Sequence, residues 1–267
     1  MTEKLRKLGV SNIECFDGRM NSFVQNGINY MEFRVIKADN RALIQNYTDK
    51  ILEEKKKIGY KIRTVHLPQL CNFDLSLTDD FARIKSIQNQ KEIVNMVMPL
   101  GAKILVLHPD AGKVEEKDYG KRHKALIKSL KEFAPWCKER GLKIAIENLT
   151  QISSFQTSSD LLEVIEAVGD NIGICFDVNH NFKESHKHFI ENAGKHIITM
   201  HISDNDGIAE RHFFPGEGVI NFKEIIELIN NLGYNSTLVF ECGQVFETDN
   251  LQEAVKRLKK GWDNQHI

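Results

Sequence analysis

Six short apolar stretches of this chain each run into an imidazole or a carboxylate. Val65 leads to His66, Leu107 to His108, Ile146 to Glu147, Phe176 to Asp177, Met200 to His201 and Phe240 to Glu241, and His180 follows Asp177 by three residues. Taken singly, each has an ordinary explanation. A lone histidine at a strand end is usually hydrogen-bonded structure, and a lone carboxylate there is usually a helix cap or an ion-pair partner. Six at equivalent points are harder to dismiss. Several carboxylates gathered in one partly desolvated place would repel one another and drive their pKa values up. A divalent cation removes that cost. The mixed oxygen and nitrogen set Glu147, Asp177, His201 and Glu241 suits Mn²⁺, Zn²⁺, Co²⁺ or Fe²⁺ better than a thiolate-seeking ion. The chemistry available is Lewis-acid polarisation of a carbonyl, with Glu147 and Glu241 as candidate catalytic acid–base groups.

Residues that act together must be brought together by regular elements. Apolar runs at 29–35, 61–66, 103–108, 143–147, 172–177, 197–201 and 237–241, with a weaker opener at 8–11, are short and rich in Ile, Val and Leu. Near-continuous runs of this kind suit parallel strands covered on both faces. Between them the spacing predicts helices over 41–59, 79–98, 119–140, 159–168, 183–193, 221–232 and 248–261. Gly59, Gly141 and Gly233 close three of them, and Ser158 or Ser159 caps the fourth. About eight strand–helix units is the arithmetic of a (β/α)₈ TIM barrel, an α/β fold in which all strand ends meet at one mouth. A doubly wound open sheet is the rival, but no Gly-rich phosphate loop follows the first strand.

With 267 residues, 41% hydrophobic and 27% charged, and no linker or low-complexity segment, one domain spanning 1–267 is the simplest organisation. The net charge of −1 excludes a strongly basic nucleic-acid footprint at whole-chain level. No apolar run approaches the roughly 20 residues of a membrane helix, and no signal peptide is legible at the N-terminus. Five scattered cysteines without a CxxC pair point to reduced thiols serving as interior filler, in a cytoplasmic protein.

A polar, glycine-bearing segment at 201–218 is too long for a tight connector, and such loops are usually functional or disordered. Within it, Phe213-Phe214 reads either as the apolar edge of a lid or as simple packing on the barrel.

The order and spacing of His108-Pro109, Glu147-Asn148, Phe176-Asp177-Val178-Asn179-His180, the His201 segment, Pro215-Gly216-Glu217-Gly218 and Glu241-Cys242 resemble the xylose isomerase-like TIM-barrel superfamily over nearly the whole chain. That superfamily holds sugar isomerases and epimerases and also endonuclease IV-type apurinic endonucleases. The resemblance implies that Glu147, Asp177, His201 and Glu241 are metal ligands, and that His180 and Arg211 contact substrate. His66, His108, His180, Glu210 and His212 fall where the endonuclease branch has additional ligands for a three-metal cluster. Two departures separate the chain from that branch: Glu210 stands where it has Asp, and Leu8-Gly9-Val10-Ser11 replaces its Gly-Ala-His-Val-Ser signature.

The expected function is a divalent-metal-dependent isomerase or epimerase of a small carbohydrate or sugar phosphate, working by proton transfer through an enediolate. Mn²⁺ or Zn²⁺ is the expected metal, with Mg²⁺ or Co²⁺ as alternatives. His66, His108, His180, Arg211 and His212 are expected to bind substrate. A homo-oligomer is compatible with the sequence. The alternative is metal-dependent phosphodiester hydrolysis at abasic sites in DNA, and a third reading is a non-catalytic sugar-binding module. The basic runs 55–57, 121–124 and 256–260 are expected on outer helices away from the mouth, against a nucleic-acid partner.

Overall fold

The computed structural model describes residues 6–12, 18–150, 152–245 and 247–266. Eight parallel strands close into a barrel in sequence order, with the first pairing to the last: β1 (Lys7–Asn12), β2 (Ile28–Arg34), β3 (Lys61–His66), β4 (Ile104–Leu107), β5 (Lys143–Glu147), β6 (Ile172–Asp177), β7 (Ile197–Ile202) and β8 (Thr237–Phe240). The helices between them are α1 (Arg19–Gln25), α2 (Arg41–Ile58), α3 (Asp80–Val97), α4 (Tyr119–Lys138), α5 (Ser158–Val168), α6 (His186–Ala193) and α7 (Phe222–Asn231), and α8 (Leu251–Asp263) follows β8. The (β/α)₈ barrel expected from the alternation is the observed fold.

Strand alternation divides the apolar residues into two bodies. In β5, Ile144 and Ile146 face the helices and join the large core. Ala145 points inward with Ile104, Val106 and Cys175, against Ile198. Glu147 shares the inward parity of Ala145, because successive side chains alternate across a strand. The barrel centre is therefore filled by a short apolar layer, and polar groups crown it at the C-terminal end.

The cysteines follow this plan in part. Cys137, Cys175 and Cys242 are buried, whereas Cys71 is exposed at the surface; Cys15 lies outside the described residues. Local chemistry sets the helix ends. Thr157, not Ser158 or Ser159, caps α5, in a capping box completed by Asp160. Ser185 caps α6 and Asn250 caps α8, so both helices start about three residues later than the periodicity suggests. No helix among the described residues is long and apolar enough to cross a membrane.

Candidate metal centre and active site

His201, on the inward face of β7, organises the site. Its Nδ1 lies 2.9 Å from Glu241 Oε2, 3.1 Å from Glu147 Oε1 and 3.7 Å from Asp177 Oδ2. Its Nε2 faces Glu32 on β2 at 3.0 Å. One ligand atom from each of Glu147, Asp177, His201 and Glu241 falls within 4.8 Å of all the others. Four elements of the barrel thus converge on one point, as the strand ends predict.

The neighbours hold these side chains in place. Asn148 clamps the ends of β5 and β6: its Oδ1 accepts from Asp177 N at 2.8 Å and its Nδ2 donates to Asp177 O at 2.9 Å. Asp177 Oδ1 accepts from Asn179 N at 2.7 Å, while its buried Oδ2 has no hydrogen-bond partner. Arg34 forms an ion pair with Glu241. Ser11 donates to Glu32 Oε1 at 2.8 Å, across the β1–β2 register that places the two residues side by side.

The electrostatics follow from burial set against charge. Burial opposes ionisation of Glu147, but His201 and His108 hold its carboxyl well below the usual range. Burial likewise opposes the charge on Glu241, and Arg34 and His201 overcome it. For His201, burial is outweighed by Cys175 and by the carboxylates of Glu32, Glu147 and Glu241, which raise the imidazole well above its ordinary value.

Three histidines around the site, His66, His180 and His212, share one arrangement. His66 Nδ1 donates to Leu67 O at 3.1 Å, leaving Nε2 aimed at Glu147 Oε2 at 3.1 Å. His180 Nδ1 donates to Asn148 O at 3.0 Å and turns Nε2 to Glu210 Oε1 at 3.3 Å. His212 Nδ1 donates to Glu241 O at 2.7 Å and turns Nε2 to Glu210 Oε1 at 2.6 Å. A carbonyl only accepts, so each neutral ring carries its hydrogen on Nδ1 and directs a lone pair at a carboxylate oxygen. Two acceptors at such distances need a shared proton or a cation. Fixing one ring nitrogen on an outer partner while freeing the other is the usual posture of a metal-ligating histidine. With the orphaned Asp177 Oδ2, these are groups that could hold a divalent ion. His66, His108 and Glu147 form one further group, and His180, Glu210 and His212 another.

Above the centre lies a cavity of about 200 Å³, whose walls include Arg34, Gln69, His108, Asp110, Ser153 and Glu210. Asp110 Oδ2 accepts from both Ser154 N, at 2.9 Å, and Ser154 Oγ, at 2.7 Å, and burial raises its carboxyl. His108 and His180 reach the cavity, and His66 lies beneath it on Glu147. Arg211 does not line it, its guanidinium being turned to Asp206 at 2.7 Å.

The loop after β7 is pinned by Asp204, whose carboxylate accepts from the backbone of Asn205, Gly216, Gly218 and Ile220 at 2.9–3.0 Å. Gly216 has φ +86°, and a Cβ at Gly218 would collide with Asn205 O and the Asp204 carboxylate. Phe214 is buried and Phe213 pairs with Asp204 through its backbone, so this pair packs the loop down. The basic runs divide. Residues 55–57 end α2 and 256–260 lie within α8, but 121–124 open α4 on the mouth side, contrary to expectation. There Arg122 pairs with Asp74, which also accepts from Ala111 N beside the cavity.

Sequence reasoning left Asp204 without a role, and left Glu32 and Arg34 open between facing the mouth and a salt bridge within the barrel end; Arg34 does pair with Glu241 there. Glu32 and Arg34 sit within a strand run instead of after it. Asp204 sits in a loop where nothing but its position before the Gly-bearing turn marks it. For Glu32, the signal was its period-two spacing from Arg34 on one strand face.

Comparison with known proteins agrees with this geometry. The chain is 29% identical over 198 residues to an uncharacterized protein of Methanocaldococcus jannaschii, covering 74% of this chain and 76% of the other. It is 25% identical over 242 residues to the fructoselysine 3-epimerase of Shigella flexneri, covering 85% and 79%. Among solved structures, the IolI protein with a bound zinc atom superposes with a TM-score of 0.81 at 18% identity, covering 97% of this chain and 98% of that one. The family model described as xylose isomerase-like TIM barrel matches residues 22–261, and the chain belongs to that family.

Proposed function

We propose that this protein is a divalent-metal-dependent isomerase or epimerase of a small sugar. The observation that carries the reading is the placement of Glu147 and Glu241, from separate strand ends, around one His201 nitrogen beneath a polar cavity of about 200 Å³. Sugar epimerases among the relatives support it. A metal held by Glu147, Asp177, His201 and Glu241 would polarise a carbonyl of the substrate and ease loss of the neighbouring C–H proton. Arg34 and His201 keep Glu241 ionised, so it begins as a base, and the imidazoles around Glu147 do the same for that carboxylate. One carboxylate takes the proton and becomes the acid; it returns that proton to the neighbouring carbon, or the other carboxylate, once it has taken up a proton from solvent, delivers one from the opposite face, a form of help worth about 10²–10⁴-fold. His108, His180 and Asp110 are placed to orient substrate hydroxyls. The lining favours an uncharged sugar over a sugar phosphate, since Asp110, Glu210 and Glu241 outnumber the cations Arg34 and His180, both of which are already paired with carboxylates.

The test is hydrogen exchange from a panel of ketoses in D₂O with Mn²⁺ or Zn²⁺ added. Exchange should depend on metal and vanish in Glu147→Gln and in Glu241→Gln. Wild-type exchange in either variant removes that residue as a base.

A second reading, metal-assisted phosphodiester hydrolysis, is favoured by one observation: the groups His66–His108–Glu147 and His180–Glu210–His212 flank the four-residue centre, each compact enough to hold an ion. Two measurements separate the readings. One ion per chain and metal-dependent exchange support the epimerase, whereas two or three ions with nicking of an abasic oligonucleotide support the hydrolase.

A further inference from the structure

The other end of the barrel carries a second cavity, of about 440 Å³, within the range of small-molecule sites. Arg63 on β3, Lys103 just before β4, Lys143 at the start of β5 and Lys195 just before β7 line it, and no carboxylate does. Among the described residues none of the four forms an ion pair, while Lys138 pairs with Asp170 at 3.6 Å elsewhere. Lys143 shares the inward parity of Ala145 and Glu147, so its stem enters from the barrel side.

Cations at this face have one ordinary role. The helices run opposite to the strands, and their carbonyl ends collect here. The ends of α4, α6 and α7 lie at the cavity wall through Gly141, Gly194 and Leu232. Each supplies about half a negative charge, so three offset roughly −1.5 of the four positive charges. An excess of roughly 2.5 positive charges remains in one concavity, where like charges repel.

We propose that this lower mouth is a binding site for a small multivalent oxyanion carrying phosphate groups, separate from the catalytic centre. The charge excess matches a dianion or higher, the volume accommodates more than one phosphate group, and the ammonium and guanidinium donors are those suited to phosphate oxygens.

Isothermal titration of sodium pyrophosphate into the full chain, at low salt and neutral pH, tests this. One saturable site per chain is expected, weakened by added NaCl through screening. Lys103→Gln, Lys143→Gln and Lys195→Gln should each weaken binding about fivefold, as expected for loss of one charge contact. The triple variant should show no saturable heat, and Lys124→Gln on α4 should bind as wild type. Lys103 and Lys195 are exposed, so that pair carries the test if Lys143→Gln fails to fold by circular dichroism. Absence of saturable binding to wild type overturns the proposal. So does undiminished binding to the folded double or triple variant, which would place the anion elsewhere.

Discussion

Replacing Glu32 should cost the metal centre affinity without removing a ligand. Glu32 is fully buried and makes two hydrogen bonds, one from Ser11 Oγ at 2.8 Å and one with His201 Nε2 at 3.0 Å. The second fixes the ring so that Nδ1 faces Glu147 and Glu241. In Glu32→Gln the amide oxygen can still accept from His201 Nε2–H, and the amide nitrogen can donate to Ser11 Oγ once that hydroxyl turns. Both contacts survive, but the charge-assisted one becomes neutral. Charged hydrogen bonds contribute about 1.5–3 kcal/mol and neutral ones about 0.5–1.5, so the loss is about 1–1.5 kcal/mol, or roughly tenfold in metal affinity. Glu32→Ala leaves the His201 N–H unpaired and should cost about 100-fold, the upper end for outer partners of ligating histidines. Competition with a chelator for Mn²⁺ or Zn²⁺ measures both. Affinity unchanged in Glu32→Ala would refute the reasoning, because Nδ1 orientation would then not depend on Glu32.

Three further outcomes follow from the same geometry. Asp204→Ala removes a buried acceptor of four backbone N–H groups and should destabilise the protein by about 3–5 kcal/mol, read in urea unfolding, with the 205–220 segment becoming the first site of limited proteolysis. Thiol labelling at pH 8 should modify Cys71 rapidly and spare Cys137, whose thiol burial pushes up to about 12; labelling of Cys137 in folded protein at the rate of Cys71 would contradict its burial. Asp206, held down to about 2 by hydrogen bonds from Ala209 N, Arg211 and Ile208 N, has a folded pKa below its unfolded value. Its contribution to the turn is therefore complete above about pH 4 and lost as pH falls through 2; NMR titration of its carboxylate should give a midpoint near 2 that rises in Arg211→Ala.

The strands were readable because parallel strands covered on both faces leave little polar interruption, and their endings were readable because the chemistry sits where the apolar run stops. α1 escaped notice. It has seven residues, Gly18 in place of a side-chain cap and no acidic first turn, so neither length nor capping marks it; the burial of Met20 and Phe23 packs it against the barrel. The four residues that converge at the mouth could be named from sequence, but not the partners that orient them. Glu32 meets His201 across 169 residues of chain, and Arg34 meets Glu241 across 207. Periodicity reports which face a residue takes, whereas the identity of its partner depends on which strands barrel closure sets opposite each other. Arg211 shows the converse: a motif position marks a neighbourhood, and five residues upstream Asp206 supplied a local partner that turns the guanidinium outward.

Glu147 links the two functional readings. Its Oε1 faces His201 at 3.1 Å and His180 at 3.5 Å, and its Oε2 faces His66 at 3.1 Å and His108 at 3.2 Å. The two oxygens of one carboxylate are thus committed to different imidazole groups. Chemistry at a sugar carbonyl needs the Oε1 side, where Asp177 and Glu241 converge on His201. The Oε2 side then plays a separate part, in which His66 and His108 either hold a second ion or, sharing protons with Glu147, keep that carboxylate ionised and fixed in rotamer. Both arrangements demand the same unprotonated Glu147. The geometry is consequently committed to an anionic carboxylate at the centre of the barrel mouth, and the number of cations that settle around it decides which bond the site can break.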